Sequence, residues 1–202
     1  MSTQPFKLLL ASSSPYRREL LSRLRIPFEC ASPDIDESQQ ADETPEQYVG
    51  RLASEKAQAL RQQYPHHWII GSDQACVLNG VAVSKPGNRE TAIRQLKQAS
   101  GNKIRFHTGL ALFNANTGES WSLVEPFDVC FRQLSVEQIE RYLDLEEPYD
   151  CAGSFKAEGL GITLFSALEG RDSNALIGLP LIGLVDLFQQ AGIDVLNLAA
   201  AK

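Results

Sequence analysis

The chain has little of what several function classes require. Three histidines and four cysteines without a CxxC pair leave no transition-metal ligand cluster to read. Cys30, Cys76, Cys130 and Cys151 are too scattered for a disulfide framework in a chain of 202 residues, and none sits in a nucleophile context, so reduced thiols are expected. Positive charge is in deficit: 19 Lys and Arg against 25 Asp and Glu give a net charge of −6, which argues against a nucleic-acid polymer as partner. Long apolar runs are missing. Pro180 and Asp186 interrupt the greasiest late stretch, so no membrane partner is expected, and the first residues do not read as a signal peptide. A cytoplasmic setting is the expectation. With no repeats or linkers and a 43% hydrophobic, 22% charged composition, one globular domain over 1–202 is expected.

What is there begins with Lys7-Leu8-Leu9-Leu10-Ala11, an apolar run that breaks into Ser12-Ser13-Ser14-Pro15-Tyr16-Arg17-Arg18 and a leucine-rich segment. The pattern predicts a buried strand, a hydroxyl-rich turn and a helix with Ser14 as cap and Pro15 at its first position. Free helix amides, hydroxyls and guanidinium groups pointing one way make an anion site suited to phosphate. Plain capping accounts for serine-proline equally well. Tyr16, Leu20 and Leu24 share a helical face, so Tyr16 is also a core candidate.

Further along, residues 27–42 are irregular and acidic, and Thr44-Pro45-Glu46-Gln47 forms a capping box for a helix running to about Tyr64. Lys56 falls on that helix's inner stripe with Val49, Ala53 and Leu60, so it either snorkels outward or reaches a polar pocket. Trp68-Ile69-Ile70 reads as a strand entering a bend at Gly71-Ser72-Asp73-Gln74, followed by a second strand and a hairpin at Asn79-Gly80 that delivers Lys85. Helices are predicted over 89–99, 135–145 and 181–191, long strands over 104–113 and 120–131, and strand-like segments around 153–165. His66 and His67 read as solvated, and 193–202 as a frayed terminus. Strands and helices alternate with at least two hairpins, so the fold class is α/β with a mixed sheet.

Asp73, placed after a β-run, is well positioned for chemistry because ligands in α/β proteins gather beyond strand ends; the alternative is a turn former. Lys85 arrives by the adjoining hairpin, and Glu37 is either a cation ligand or a solvated loop acid. Together, Ser12, Arg17, Glu37, Lys56, Asp73 and Lys85 suit a phosphoryl site: cations neutralise phosphates, Glu37 and Asp73 hold a metal, and a carboxylate orients water. No side chain is an evident covalent nucleophile.

At this point the chain resembles the Maf family. The resemblance is carried by Leu10-Ala11-Ser12-Ser13-Ser14-Pro15-Tyr16-Arg17-Arg18-Glu19-Leu20-Leu21, Asp36-Glu37, Glu55-Lys56-Ala57, Gly71-Ser72-Asp73-Gln74, Lys85-Pro86-Gly87 and Gly178-Leu179-Pro180. These stand in the family's order over about 8–187. The resemblance implies a mixed twisted sheet with flanking helices and a central cleft, like that of inosine triphosphate pyrophosphatases. It implies a pyrophosphatase that releases pyrophosphate from nucleoside triphosphates with a divalent cation (Mg²⁺, Mn²⁺ or Co²⁺). Asp73 is then the proton acceptor, Lys56 and Lys85 complete the catalytic set, and Ser12 and Arg17 bind the substrate's phosphates.

Three positions separate the family's branches, and here they are Tyr16, Gln74 and Glu158. The branch acting on dTTP and UTP typically carries Arg, Thr and Gln there; the branch acting on 7-methyl-GTP carries Trp, Gln and Glu. Gln74 and Glu158 match the second, and Tyr16 departs by replacing one aromatic with another. A cationic methylated purine gains about 0.5–2 kcal/mol over an aromatic face. A carboxylate at Glu158 suits the guanine N1–H and exocyclic amine, worth about 1.5–3 kcal/mol. The expected substrate is therefore 7-methyl-GTP. The alternatives are dTTP, UTP or several modified nucleotides, or a nucleotide-binding regulator of septum formation without turnover. Expected partners are a small-molecule nucleotide and, as an open option, a second copy in a homodimer.

Overall fold

Four consecutive apolar residues leave a strand no polar face for solvent, so Leu8–Ala11 (β1) has to lie inside a sheet. All four are buried, with Phe28–Ala31 (β2) and Trp68–Leu78 (β3) paired parallel on either side. The computed structural model describes residues 6–200. Val81–Val83 (β4) folds back on the end of β3 across Asn79-Gly80, both with positive φ as a tight hairpin demands. Lys103–Asn114 (β5) runs antiparallel to β3 along its whole length, followed outward by Ser120–Phe131 (β6) and Phe165–Gly170 (β7). The order is β2-β1-β3-β5-β6-β7, with β4 beside β3 off that path. This is the mixed, helix-flanked sheet that the sequence predicts.

Alternation along β1, β3 and β5 sends Leu8, Leu10, Ile70, Leu110 and Leu112 to one face of the sheet and Leu9, Ile69, Ala111 and Phe113 to the other. The first face is covered by Pro15–Ser22 (α1) and later helices, the second by Pro45–Ala59 (α2). Arg89–Ala99 (α3) and Val136–Glu146 (α4) cap a separate core around Phe106, Phe127, Phe131 and Phe155 at the far end of the long strands. Asn174–Ile177 (α5), Leu181–Gln190 (α6) and Val195–Leu198 (α7) close the first face. The predicted caps form: Ser14 Oγ accepts from the Arg17 amide, and Thr44 and Ser135 each complete a capping box.

The expected bend at Gly71-Ser72-Asp73-Gln74 does not occur. β3 runs straight through it for 11 residues. Gly71 serves packing instead of turning: a Cβ there would overlap the Ala53 carbonyl oxygen of α2, and one on Gly109 would overlap that of Val49. The sheet opens at this point. β1 pairs with β3 only as far as Ile70, and β4 begins only at Cys76, so residues 71–75 have no strand partner on that edge. A cleft results, placed where the sheet's topology changes.

Around 153–165 the expected strand is replaced by two 3-10 turns, Ala152–Ser154 and Leu160–Leu164, because Gly153 and Ser154 adopt positive φ, which no strand accommodates. His67 is buried, its Nε2 3.2 Å from Glu29 Oε1 and its ring edge-on to Tyr64. The supposedly frayed end contains α7, which buries Val195, and Ala200 N–H donates to the Arg25 carbonyl; residues 201–202 lie outside the described residues. Among the described residues no helix is long and apolar enough to cross a membrane.

The glycine contact gives a test of this packing. Gly71→Ala should force α2 off the sheet and cost about 1–3 kcal/mol, read as a lowered urea midpoint; an unchanged midpoint would show that α2 does not need this approach.

Candidate active site

The cleft at the sheet opening has a volume of about 630 Å³, within the range of small-molecule sites. Its floor is β3. Because β3 continues through residue 73, Asp73 falls on the same face as Ile69 and Gly71 and looks toward α2. There Lys56, only 6% exposed, places Nζ 2.6 Å from Asp73 Oδ1 and 2.8 Å from Glu37 Oε1. The lysine on the inner stripe thus reaches a polar pocket, not solvent.

Glu37 comes from the irregular acidic segment, and α2 is what holds it there. Tyr48 donates its hydroxyl to the Glu37 carbonyl at 2.8 Å, and Arg51 binds the Ser38 carbonyl and both carboxylate oxygens of Glu43. The bond to Glu43 holds the Arg51 guanidinium above its ordinary range. Tyr48 and Arg51 were not singled out from the sequence, although Tyr48, Leu52 and Lys56 recur at helical spacing as one stripe.

The opposite wall is the start of α1. Ser12 is buried, and its Oγ accepts the Ser14 amide at 3.1 Å. Arg17 is partly buried and donates Nε to the Gly178 carbonyl at 2.9 Å. Burial lowers its affinity for the proton, and the carboxylates of Asp73 and Glu37 oppose that shift. Lys85 lines the same cleft from the loop after β4 and is exposed. Ser12, Arg17, Glu37, Lys56, Asp73 and Lys85, drawn from five separate stretches of sequence, therefore share one cavity.

Tyr16 and Glu158 line the same cavity, with Asp150, Cys151 and Lys156. Tyr16 is half-buried and belongs to none of the hydrophobic clusters, so its ring is a cleft wall and not core. Its hydroxyl is raised above the ordinary range by burial, then by Cys151, Asp150 and Glu158, with Lys156 acting in the opposite sense. Cys151 is pushed up to about 12 by burial and by Asp150, so it stays a thiol at neutral pH and is no nucleophile. Gln74 also lines the cavity, but its Nε2 is committed to Ala175 O at 2.7 Å, Leu176 O at 3.2 Å and Thr108 Oγ1 at 3.1 Å.

The convergence of Glu37 and Asp73 on one point suits a cation, since the Lys56 ammonium already stands between them. Among the described residues no three His, Cys, Asp or Glu side chains gather to enclose a metal. Two carboxylates with the remaining positions left to water or phosphate oxygens is the donor set that Mg²⁺-like cations take in nucleotide sites.

Residues 7–191 match the model of the Maf-like protein family. The chain is 60% identical over 188 residues, 93% of its own length and 98% of its relative's, to a protein of Pseudomonas savastanoi pv. phaseolicola named 7-methyl-GTP pyrophosphatase. It is 56% identical over 194 residues to a protein of the same name from Alcanivorax borkumensis, covering 96% of this chain and 98% of that one.

Removing the shared ammonium should expose how much the site depends on it. Lys56→Met leaves Asp73 buried without its partner and is expected to cost about 1–3 kcal/mol by urea denaturation at neutral pH. A variant as stable as the parent would remove Lys56 as the element that holds the carboxylates together.

Proposed function

This chain is a member of the Maf family, and on that premise we propose that it hydrolyses 7-methyl-GTP to 7-methyl-GMP and pyrophosphate. The observation that carries the proposal is the single cavity that a cationic and carboxylate-bearing set, Arg17, Lys56, Lys85, Asp73 and Glu37, shares with the aromatic ring of Tyr16 and the carboxylate of Glu158. A polyphosphate and a cationic base require these two environments within one nucleotide's length. The names of the 56–60% identical relatives support the same substrate.

Water attacks the α-phosphorus; a P–O bond forms, the bond from that phosphorus to the α–β bridging oxygen breaks, and pyrophosphate departs. Asp73 accepts the proton of the attacking water. Ser12, Arg17 and Lys85 hold the phosphates, and Lys56 neutralises charge between them and the carboxylates. Glu37 and Asp73 would hold a divalent cation (Mg²⁺, Mn²⁺ or Co²⁺), which supplies charge neutralisation of the phosphates when bound. Tyr16 offers its face to the methylated ring, and the Glu158 carboxylate accepts the guanine N1–H and amine.

Pyrophosphate release should be fastest from 7-methyl-GTP in a panel with GTP, dTTP, UTP and ITP, should require a divalent cation, and should vanish in Asp73→Asn with the fold intact. Faster turnover of dTTP or UTP would overturn the base assignment. Binding without release from any nucleotide would point to a regulator instead. Glu158→Gln should lower kcat/KM for 7-methyl-GTP by about tenfold or more while changing dTTP and UTP little, and an equal loss across the panel would remove Glu158 from base reading.

A further inference from the structure

Alternation along β3 separates two sets of side chains. Asp73 turns to α2, whereas Ser72 and Gln74 turn to the other face and meet the 174–178 turn. The Gln74 amide has two protons and three acceptors within 3.2 Å, all of them protein atoms, so its donor capacity is used up away from any ligand. Thr108, fully buried on β5 and paired across from Gln74, donates its hydroxyl to the same Ala175 carbonyl at 2.9 Å. Two residues past Leu176, Gly178 takes φ 114°, ψ 11°, a conformation that favours glycine. Its carbonyl lies 2.9 Å from Arg17 Nε and 2.9 Å from Ser72 Oγ, and a Cβ on residue 178 would press within 3.3 Å of Arg17 Nε. With Nε so engaged, the Arg17 Nη groups have no protein acceptor among the described residues, and the side chain lines the cleft.

We propose that Gln74 and Thr108 are positioning residues for the phosphates: they pin the 174–178 turn, and the pinned Gly178 carbonyl aims the Arg17 guanidinium into the cleft. The proposal rests on the reading of Arg17 as a phosphate ligand. It gives the Gln74 amide nitrogen a task in addition to the residue's place among the three positions that separate the family's branches.

Calorimetric titration with inorganic pyrophosphate in the presence of Mg²⁺ tests this on Gln74→Met, Thr108→Val and Thr108→Ser, alongside kcat/KM for 7-methyl-GTP and GTP. Gln74→Met and Thr108→Val should each weaken pyrophosphate binding by about tenfold. The kcat/KM values should fall by a similar factor on both nucleotides, leaving their ratio unchanged, and Thr108→Ser should restore binding. A folded variant with unchanged pyrophosphate affinity, or a shifted ratio between the two nucleotides, overturns the assignment. Should Gln74→Met fail to fold, the Thr108 pair decides. Because pyrophosphate carries no base, the titration stands even if the chain prefers another nucleotide, which would fail the substrate reading alone.

Discussion

The approach of α2 to the sheet, backbone against backbone, sets the geometry on which the cleft depends. Gly71 lies two residues before Asp73 on the same face of β3, and Gly109 lies directly across from Asp73 on β5. These two positions under the helix carry no side chain, so the Val49 and Ala53 carbonyls settle against the strands. That fixes the distance from the α2 axis to Asp73, and Lys56 closes it with a 2.6 Å contact. A helix held off by ordinary side chains at 71 and 109 would carry the ammonium away from the carboxylate and release Glu37 with it. Packing by small residues and the site's electrostatics are one constraint here.

A second consequence of an unbroken β3 is division of labour by parity. Odd positions 71 and 73 belong to the α2 side, where charge is gathered; even positions 72 and 74 belong to the α5 side, where hydrogen bonds fasten one turn of chain to the strand. One strand thereby places a carboxylate and secures the wall opposite it. The segment without a strand partner, residues 71–75, is where those two tasks meet the open cleft.

Much of this was legible in the sequence, where local chemistry and fold agreed. Ser14-Pro15 and Thr44-Pro45-Glu46-Gln47 announced helix starts, Asn79-Gly80 a hairpin, and the stripe of α2 put Lys56 inward. That Ser12, Arg17, Glu37, Lys56, Asp73 and Lys85 share one cavity was legible because their types fit one chemistry. Gly71-Ser72 misled because glycine signals both a turn and a close approach, and only the position of α2 distinguishes them. The strand expected near 153 failed at Ser154, whose positive φ is not encoded by its residue type. Burial of His67 depends on Glu29 and Tyr64, contacts that local patterning does not contain. The role of Thr108 was invisible for the same reason: its partner is 67 positions away.

The charge layout has a kinetic consequence. Four cationic side chains, Arg17, Lys56, Lys85 and Lys156, and four carboxylates, Glu37, Asp73, Asp150 and Glu158, line the cleft, so its formal charges balance on a chain whose net charge is −6. An incoming polyanion therefore meets a repulsive far field, and an individual cleft cation attracts it only within about one Debye length, roughly 8–10 Å at ordinary salt. Capture is short-ranged. A nucleotide already complexed with a cation carries less negative charge and is repelled less by that outer field.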